Sequence, residues 1–157
     1  MIVTGPIGSG KTMTVSSLAQ ELLREGMEVA GVVSPRILVA GETVGYLVRD
    51  LRTGEERILC KRDPPGLPFR RYFFQPEALE FANRVLERAA REAEVVVVDE
   101  VGPLELSGGG FAPGLLACRK SKAFLILTVR SHLIPSVKRW LDLKNVVIFS
   151  LQGEGKA

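Results

Sequence analysis

The sequence predicts an α/β fold, a sheet of strands with helices packed against it. Short apolar runs of strand length alternate with stretches of helical spacing; one of those runs is four consecutive valines, Val95 to Val98; and a glycine-rich segment joins the first run to the first helical stretch. An unbroken apolar strand is what a parallel sheet covered on both faces requires. The 157 residues are 46% hydrophobic and 25% charged, the balance of one globular domain, 1–157, that buries a core. Disordered, collagen-like and disulfide-scaffold classes are excluded.

The elements follow in order. Ile2 to Thr4 is a very short first strand. Met13, Val15, Leu18, Ala19, Leu22 and Leu23 recur at helical spacing, and Gly26 stands where a helix C-cap belongs. Val29 to Val33 reads as a buried strand ended by Ser34-Pro35, where the missing proline N–H interrupts a ladder. Thr43 to Leu51 and Glu56 to Cys60 flank Arg52-Thr53-Gly54-Glu55 as an antiparallel hairpin inserted into a mainly parallel sheet. Lys61 to Pro68 is a surface loop, and Arg70 to Phe74 a short strand. Pro76 suits the first position of a second helix, whose buried stripe is Leu79, Ala82, Val85, Leu86, Ala89 and Ala90. Glu94 to Asp99 is the valine strand, and Ser107 to Gly110 a flexible break. Ala123 to Thr128 and Asn145 to Leu151 are two more buried strands, separated by a short helix from near Pro135.

Net charge is +3 and the pI about 9.1. With no run of five or six like charges this suits a phosphate ligand as readily as nucleic acid, which is permitted but not indicated. Cys60 and Cys118 stand apart from each other and from the sole histidine, His132, and read as buried thiols. No apolar run reaches the roughly 18–20 residues that span a bilayer, and the glycine motif begins too early for a signal peptide, so a cytoplasmic protein is expected.

Gly5-Pro6-Ile7-Gly8-Ser9-Gly10-Lys11-Thr12 satisfies G-x-x-x-x-G-K-[ST] between a predicted strand and a predicted helix. The glycines let the backbone curl so that successive N–H groups converge on a phosphate, and the helix N-terminus adds its positive end. With Met13 following, this segment is the expected nucleotide-binding site. Lys11 is expected to bridge β- and γ-phosphates, and the Thr12 hydroxyl to ligate Mg²⁺. The valine strand supplies the second half, because it ends in Asp99-Glu100. Ligands bind at the carboxyl ends of parallel strands, so Asp99 is expected in the Mg²⁺ shell and Glu100 as the base that orients and deprotonates an attacking water. Asp99-Glu100-Val101-Gly102 also spells D-x-x-G, but the guanine-reading N-K-x-D is nowhere in the chain. Low base selectivity is the consequence.

Gly5 to Thr12, the Gly45-Tyr46 strand with Asp50, and above all Asp99-Glu100-Val101-Gly102-Pro103-Leu104-Glu105-Leu106 resemble the small nucleoside-triphosphatase family known from thermophiles, which includes a human cancer-related member. The resemblance covers most of the chain. It implies a three-layer RecA-like P-loop domain that hydrolyses several nucleoside triphosphates. It also implies that the strand after the Asp-Glu strand is inserted between that strand and the phosphate-loop strand. Three departures stand out: a very short first strand, the Ser107–Gly110 glycine run, and Ser34-Pro35-Arg36 in place of an acidic stretch.

Other candidates read more blandly. Glu105 is expected to be a solvated loop acid. Arg130, two residues after Thr128, is the expected source of positive charge at the γ-phosphoryl group, ahead of Arg36. The aromatics of Arg70-Arg71-Tyr72-Phe73-Phe74 are expected in the core, and His132 has no partner in sequence. Two alternatives to hydrolysis remain open on the sequence, a nucleotide or small-molecule kinase whose 61–74 segment closes over an acceptor, and a non-catalytic nucleotide-binding adaptor.

Overall fold

The valine strand lies inside a sheet, as its unbroken apolar run requires. The computed structural model describes residues 1–153. In chain order the elements are β1 (Ile2–Thr4), α1 (Lys11–Arg24), β2 (Val29–Val33), β3 (Arg36–Val39), β4 (Glu42–Asp50), β5 (Glu56–Lys61), β6 (Leu67–Phe69), β7 (Tyr72–Phe74), α2 (Pro76–Glu92), β8 (Val95–Val101), α3 (Pro103–Leu106), α4 (Ala112–Lys120), β9 (Phe124–Val129), α5 (Ile134–Trp140) and β10 (Ile148–Ser150). The strands run β10-β1-β9-β8-β2-β4-β5-β7-β6, with β3 also paired to β4. From β10 to β2 all pairings are parallel, and beyond β2 all are antiparallel. β9 lies between β1 and β8, the insertion that the resemblance implies.

Side chains alternate across β8 and so define three layers. Val95 and Val97 pack with Val15 and Ala19 of α1, whereas Val96 and Val98 pack with Ala82 and Leu86 of α2 and Leu115 of α4. The two faces of one apolar strand thereby hold helices on both sides. β2 approaches β8 at Gly31, in register with Val97; a Cβ there would run into the Val97 carbonyl, and the residue has φ of +135°. Only glycine combines that backbone angle with that approach.

Several expectations need correction. The expected hairpin is present as β4 and β5, but the antiparallel part is larger, five strands, β3 to β7, extending the sheet from β2. β3 gives no sequence signal because its turn onto β4 uses Ala40 and Gly41, with φ of +50° and +80°, in place of the usual Asn-Gly. α4 is hidden by Pro113 and Gly114, yet the proline stands in the first turn, where its missing N–H costs nothing, and Gly114 N donates to Asn83 Oδ1 of α2. Residues 145–151 contain only the three-residue β10, and Val147, Ile148 and Phe149 are exposed because that strand is the sheet edge. Met13 and Leu23 of the expected apolar stripe of α1 also face solvent. Gly26, with φ of +89°, does stand just past the end of α1. No helix among the described residues is long and apolar enough to cross a membrane.

Candidate active site

The loop from Gly5 to Gly10 joins β1 to the start of α1 at Lys11. Gly8 and Gly10 have φ of +78° and +87°, left-handed angles that let the loop curl and turn into the helix. Gly10 caps α1 without a side-chain hydrogen bond, and no acidic residue stands in the first turn. The positive end of a 14-residue helix is thus free to meet an anion. Lys11 is buried, and its ammonium donates to the carbonyls of Gly5 at 2.9 Å and Pro6 at 3.0 Å. Ile7 and Met13 carry their side chains into solvent, and Ser9 Oγ is buried without a protein partner.

The two carboxylates sit on a bulge. The register between β8 and β9 slips between Val98 and Val101, and Glu100 adopts φ of +61°, a left-handed angle for a residue with a side chain. That conformation costs on the order of 1–3 kcal/mol. Full burial of Val98 and Val101 on either side contributes about 1.5–3 kcal/mol each and holds it in place. The kink resolves a problem of strand geometry, in which adjacent side chains point to opposite faces.

Thr128 of β9 ties the bulge together: its hydroxyl donates to Asp99 Oδ1 at 2.5 Å and accepts from Glu100 N at 2.7 Å. The other Asp99 oxygen accepts from Thr12 Oγ1 at 2.7 Å and from Ser34 N at 2.9 Å. Four parts of the fold, α1, the end of β2, β8 and β9, therefore converge on one fully buried carboxylate. Burial pushes the Asp99 pKa up, against the pull of its hydrogen bonds. Burial, then the neighbouring Asp99 charge, raises that of Glu100, while Arg130, Lys11 and Arg36 oppose the rise.

The side chains that meet at Asp99 offer a metal only oxygens, its own carboxylate and the hydroxyls of Thr12 and Thr128, and Ser34, whose N–H donates to Asp99, has an Oγ buried with no protein partner. Hard oxygen donors suit Mg²⁺. No cluster of three or more His, Cys, Asp or Glu side chains able to hold a metal occurs among the described residues. One carboxylate plus a hydroxyl is how Mg²⁺ is held when substrate phosphates and water complete its shell.

Glu105 is not a solvated acid. It is 5% exposed, its Oε1 accepts from Gly102 N at 2.9 Å, and its Oε2 accepts from Phe111 N at 3.1 Å. It fastens the segment after Glu100 instead of reaching the phosphate loop, and Pro103 with Glu105 two residues on is the helix-start signal that reveals it. Burial lifts its pKa to about 7 from the ordinary 4.5. The unfolded chain releases this proton near 4.5 and the native chain near 7, so stability from this group is complete below 4.5 and is lost as pH rises to about 7. Glu105→Gln is expected to remove that slope from Tm measured against pH, and to destabilise the protein by about 1–3 kcal/mol because one buried N–H loses its acceptor.

A cavity of about 330 Å³ brings Lys11, Glu100 and Arg130 together, and Arg36 lines it too. The Arg36 guanidinium lies over the phosphate loop, its Nη2 3.7 Å from where a Cβ on Gly8 would stand. Sequence order ranks Arg36 below Arg130; its position just past the buried β2 strand is the available signal. The Ser34 N–H and Oγ have no such signal in the sequence. His132 is exposed in the turn Ser131–Leu133. Cys60 and Cys118 are buried, and burial pushes their thiols up to about 11 and about 12.

A family model described as NTPase matches residues 1–156. The nucleoside-triphosphatase THEP1 of Thermococcus kodakarensis is 34% identical over 139 residues, covering 85% of this chain and 77% of that one. Its counterpart from Thermofilum pendens is 37% identical over 133 residues, covering 83% and 73%. Among solved structures, the crystal structure of THEP1 from the hyperthermophile Aquifex aeolicus superposes with a TM-score of 0.77 at 24% identity, over 99% of this chain and 91% of that one. The solution structure of a human cancer-related nucleoside triphosphatase gives 0.71 at 20% identity, over 99% and 89%. At these identities the structures establish the fold, which is the α/β fold of P-loop nucleoside triphosphatases.

Proposed function

The chain belongs to the NTPase family and is a nucleoside-triphosphatase, and from that premise we propose that it hydrolyses the γ-phosphate through the Asp99–Glu100 bulge, with Mg²⁺ and with little regard for the base. The observation that carries this reading is Thr128, whose one hydroxyl fixes both Asp99 and the Glu100 backbone beside the Thr12 hydroxyl. The backbone N–H groups of Gly5 to Thr12, with Met13 following, cradle the phosphates. Lys11 exchanges its two carbonyl partners for β- and γ-phosphate oxygens. Thr12 and Asp99 hold Mg²⁺ with Ser34 Oγ at hand, and that ion, when bound, neutralises charge building on the phosphate oxygens. Glu100 takes a proton from the attacking water as its oxygen bonds to the γ-phosphorus and the bond to the β-bridging oxygen breaks. A single P-loop domain spanning 1–157 suffices for all of this, and the free thiols of Cys60 and Cys118 suit a reducing, cytoplasmic setting. Phosphate release without an acceptor is what hydrolysis requires, and tight nucleotide binding with no release is what the adaptor alternative requires.

The test is phosphate release from ATP, GTP, CTP and UTP with no acceptor present, with and without Mg²⁺. We expect release from all four, loss of release on chelation, and specificity constants within a factor of ~10⁴, because rejecting a base more strongly needs buried polar groups that the wrong base leaves unpaired. A wider spread, or full activity in chelator, would overturn the corresponding part of the reading.

Arg130 is assigned the charge that offsets the γ-phosphoryl oxygens in the transition state. Arg130→Ala is expected to lower kcat at least ~10-fold with diphosphate affinity unchanged, since an interaction that strengthens only in the transition state leaves ground-state binding alone. An unchanged kcat transfers the role to Arg36.

A further inference from the structure

The cavity that contains Glu100 also contains Lys11, so the γ-phosphate takes part of its volume, yet its aromatic end extends beyond the space of a hydrolytic water. Its volume of about 330 Å³ lies within the range of small-molecule pockets, whereas a water takes ~30 Å³. From Lys11 and Glu100 it runs beneath the antiparallel half of the sheet, walled by Tyr46 of β4, Tyr72 and Phe74 of β7, and Phe111. The Tyr46 and Tyr72 rings meet edge to face with centroids 5.7 Å apart, a wall on which a flat ring packs. Arg70 and Arg71, in the turn between β6 and β7, stand with Arg36 and Arg130 along the same cavity. Among the described residues none of these four arginines belongs to an ion pair. The carboxylates lining it are Glu100 and Glu105, and Glu105 is turned onto two backbone N–H groups. The cavity is therefore aromatic and net cationic, with one carboxylate directed to chemistry.

Its position decides what it holds. In-line displacement places the nucleophile opposite the leaving diphosphate, and the nucleoside of the triphosphate travels with that diphosphate. A cavity on the Glu100 side of the reacting phosphorus is thus the nucleophile's side, across from the triphosphate's own base. This step rests on Glu100 being the base, as proposed above.

We propose that this cavity is a phosphoryl-acceptor subsite for an aromatic anion carrying a free hydroxyl. The ring packs on Tyr46 and Tyr72, the anionic group meets Arg70 and Arg71, and the hydroxyl stands at Glu100 in place of water. The acceptor oxygen bonds to the γ-phosphorus, the bond to the β-bridging oxygen breaks with its electron pair leaving on the nucleoside diphosphate, and the hydroxyl proton passes to Glu100.

The four nucleoside 3′-monophosphates are suitable probes, each offering an aromatic base, a phosphate and a free 5′-hydroxyl. Wild-type protein with γ-labelled ATP and Mg²⁺ is expected to place label on the 5′-oxygen of at least one probe and to release correspondingly less inorganic phosphate. Arg71→Ala, at an exposed turn, and Tyr72→Ala are each expected to lower kcat/KM for transfer at least tenfold while phosphate release without probe stays at the wild-type rate. Label confined to inorganic phosphate with all four probes overturns the proposal, as does competition between probe and ADP for one site. Absence of phosphate release without any probe would instead strike the hydrolytic reading on which the proposal rests.

Discussion

Glu100→Gln is expected to lower kcat by ~10²–10⁴-fold while triphosphate affinity and the Mg²⁺ requirement persist, because the amide keeps the shape of the carboxylate and loses only its capacity to take a proton. The pH profile gives a second reading of the same residue. Burial and the Asp99 charge raise the Glu100 pKa in the free enzyme, so the acidic limb of kcat/KM in the wild type should lie above the ordinary carboxylate range. That limb should vanish in the variant. Steady-state phosphate release against pH measures both, and near-normal hydrolysis by Glu100→Gln would place the base elsewhere. Glu105 is not its replacement, since both of its oxygens are bound to backbone N–H groups.

Lys11→Ala is expected to weaken triphosphate binding by ~10- to 150-fold. A charge-assisted hydrogen bond to a phosphate is worth ~1.5–3 kcal/mol, and each 1.4 kcal/mol is tenfold in affinity. The native ammonium is already buried and held by the Gly5 and Pro6 carbonyls, so it is preorganised beside the loop and loses little freedom on meeting a phosphate. Calorimetric titration measures the change, and an affinity within about threefold of wild type would contradict the phosphate-loop assignment.

Whatever is contiguous is legible in the sequence. Gly5 to Thr12 is a single local motif, and the strand ending in Asp99-Glu100 shows itself by four valines in a row. Its two-sided burial needs no knowledge of its neighbours. The partners of Asp99 are different in kind: Thr128 lies 29 residues away and Ser34 65 residues away. They meet Asp99 only because β9 and β2 flank β8, a matter of sheet order that no local pattern encodes. Glu105 misleads for a related reason, since a charged residue close to glycines looks solvated until the N–H groups it serves are known. α4 is hidden because Pro113 and Gly114 suppress helix propensity, and packing against α2 overrides them. The left-handed Glu100 is invisible as well, because nothing in Val-Asp-Glu-Val announces a bulge.

Hydrolysis in water enriched in ¹⁸O tests the central assignment most directly. If Glu100 directs water onto the γ-phosphorus, a single turnover puts one solvent oxygen into the inorganic phosphate and none into the nucleoside diphosphate, and mass spectrometry separates the two. Solvent oxygen recovered in the diphosphate would mean attack at the β-phosphorus, and would contradict the placement of Glu100 opposite the leaving diphosphate.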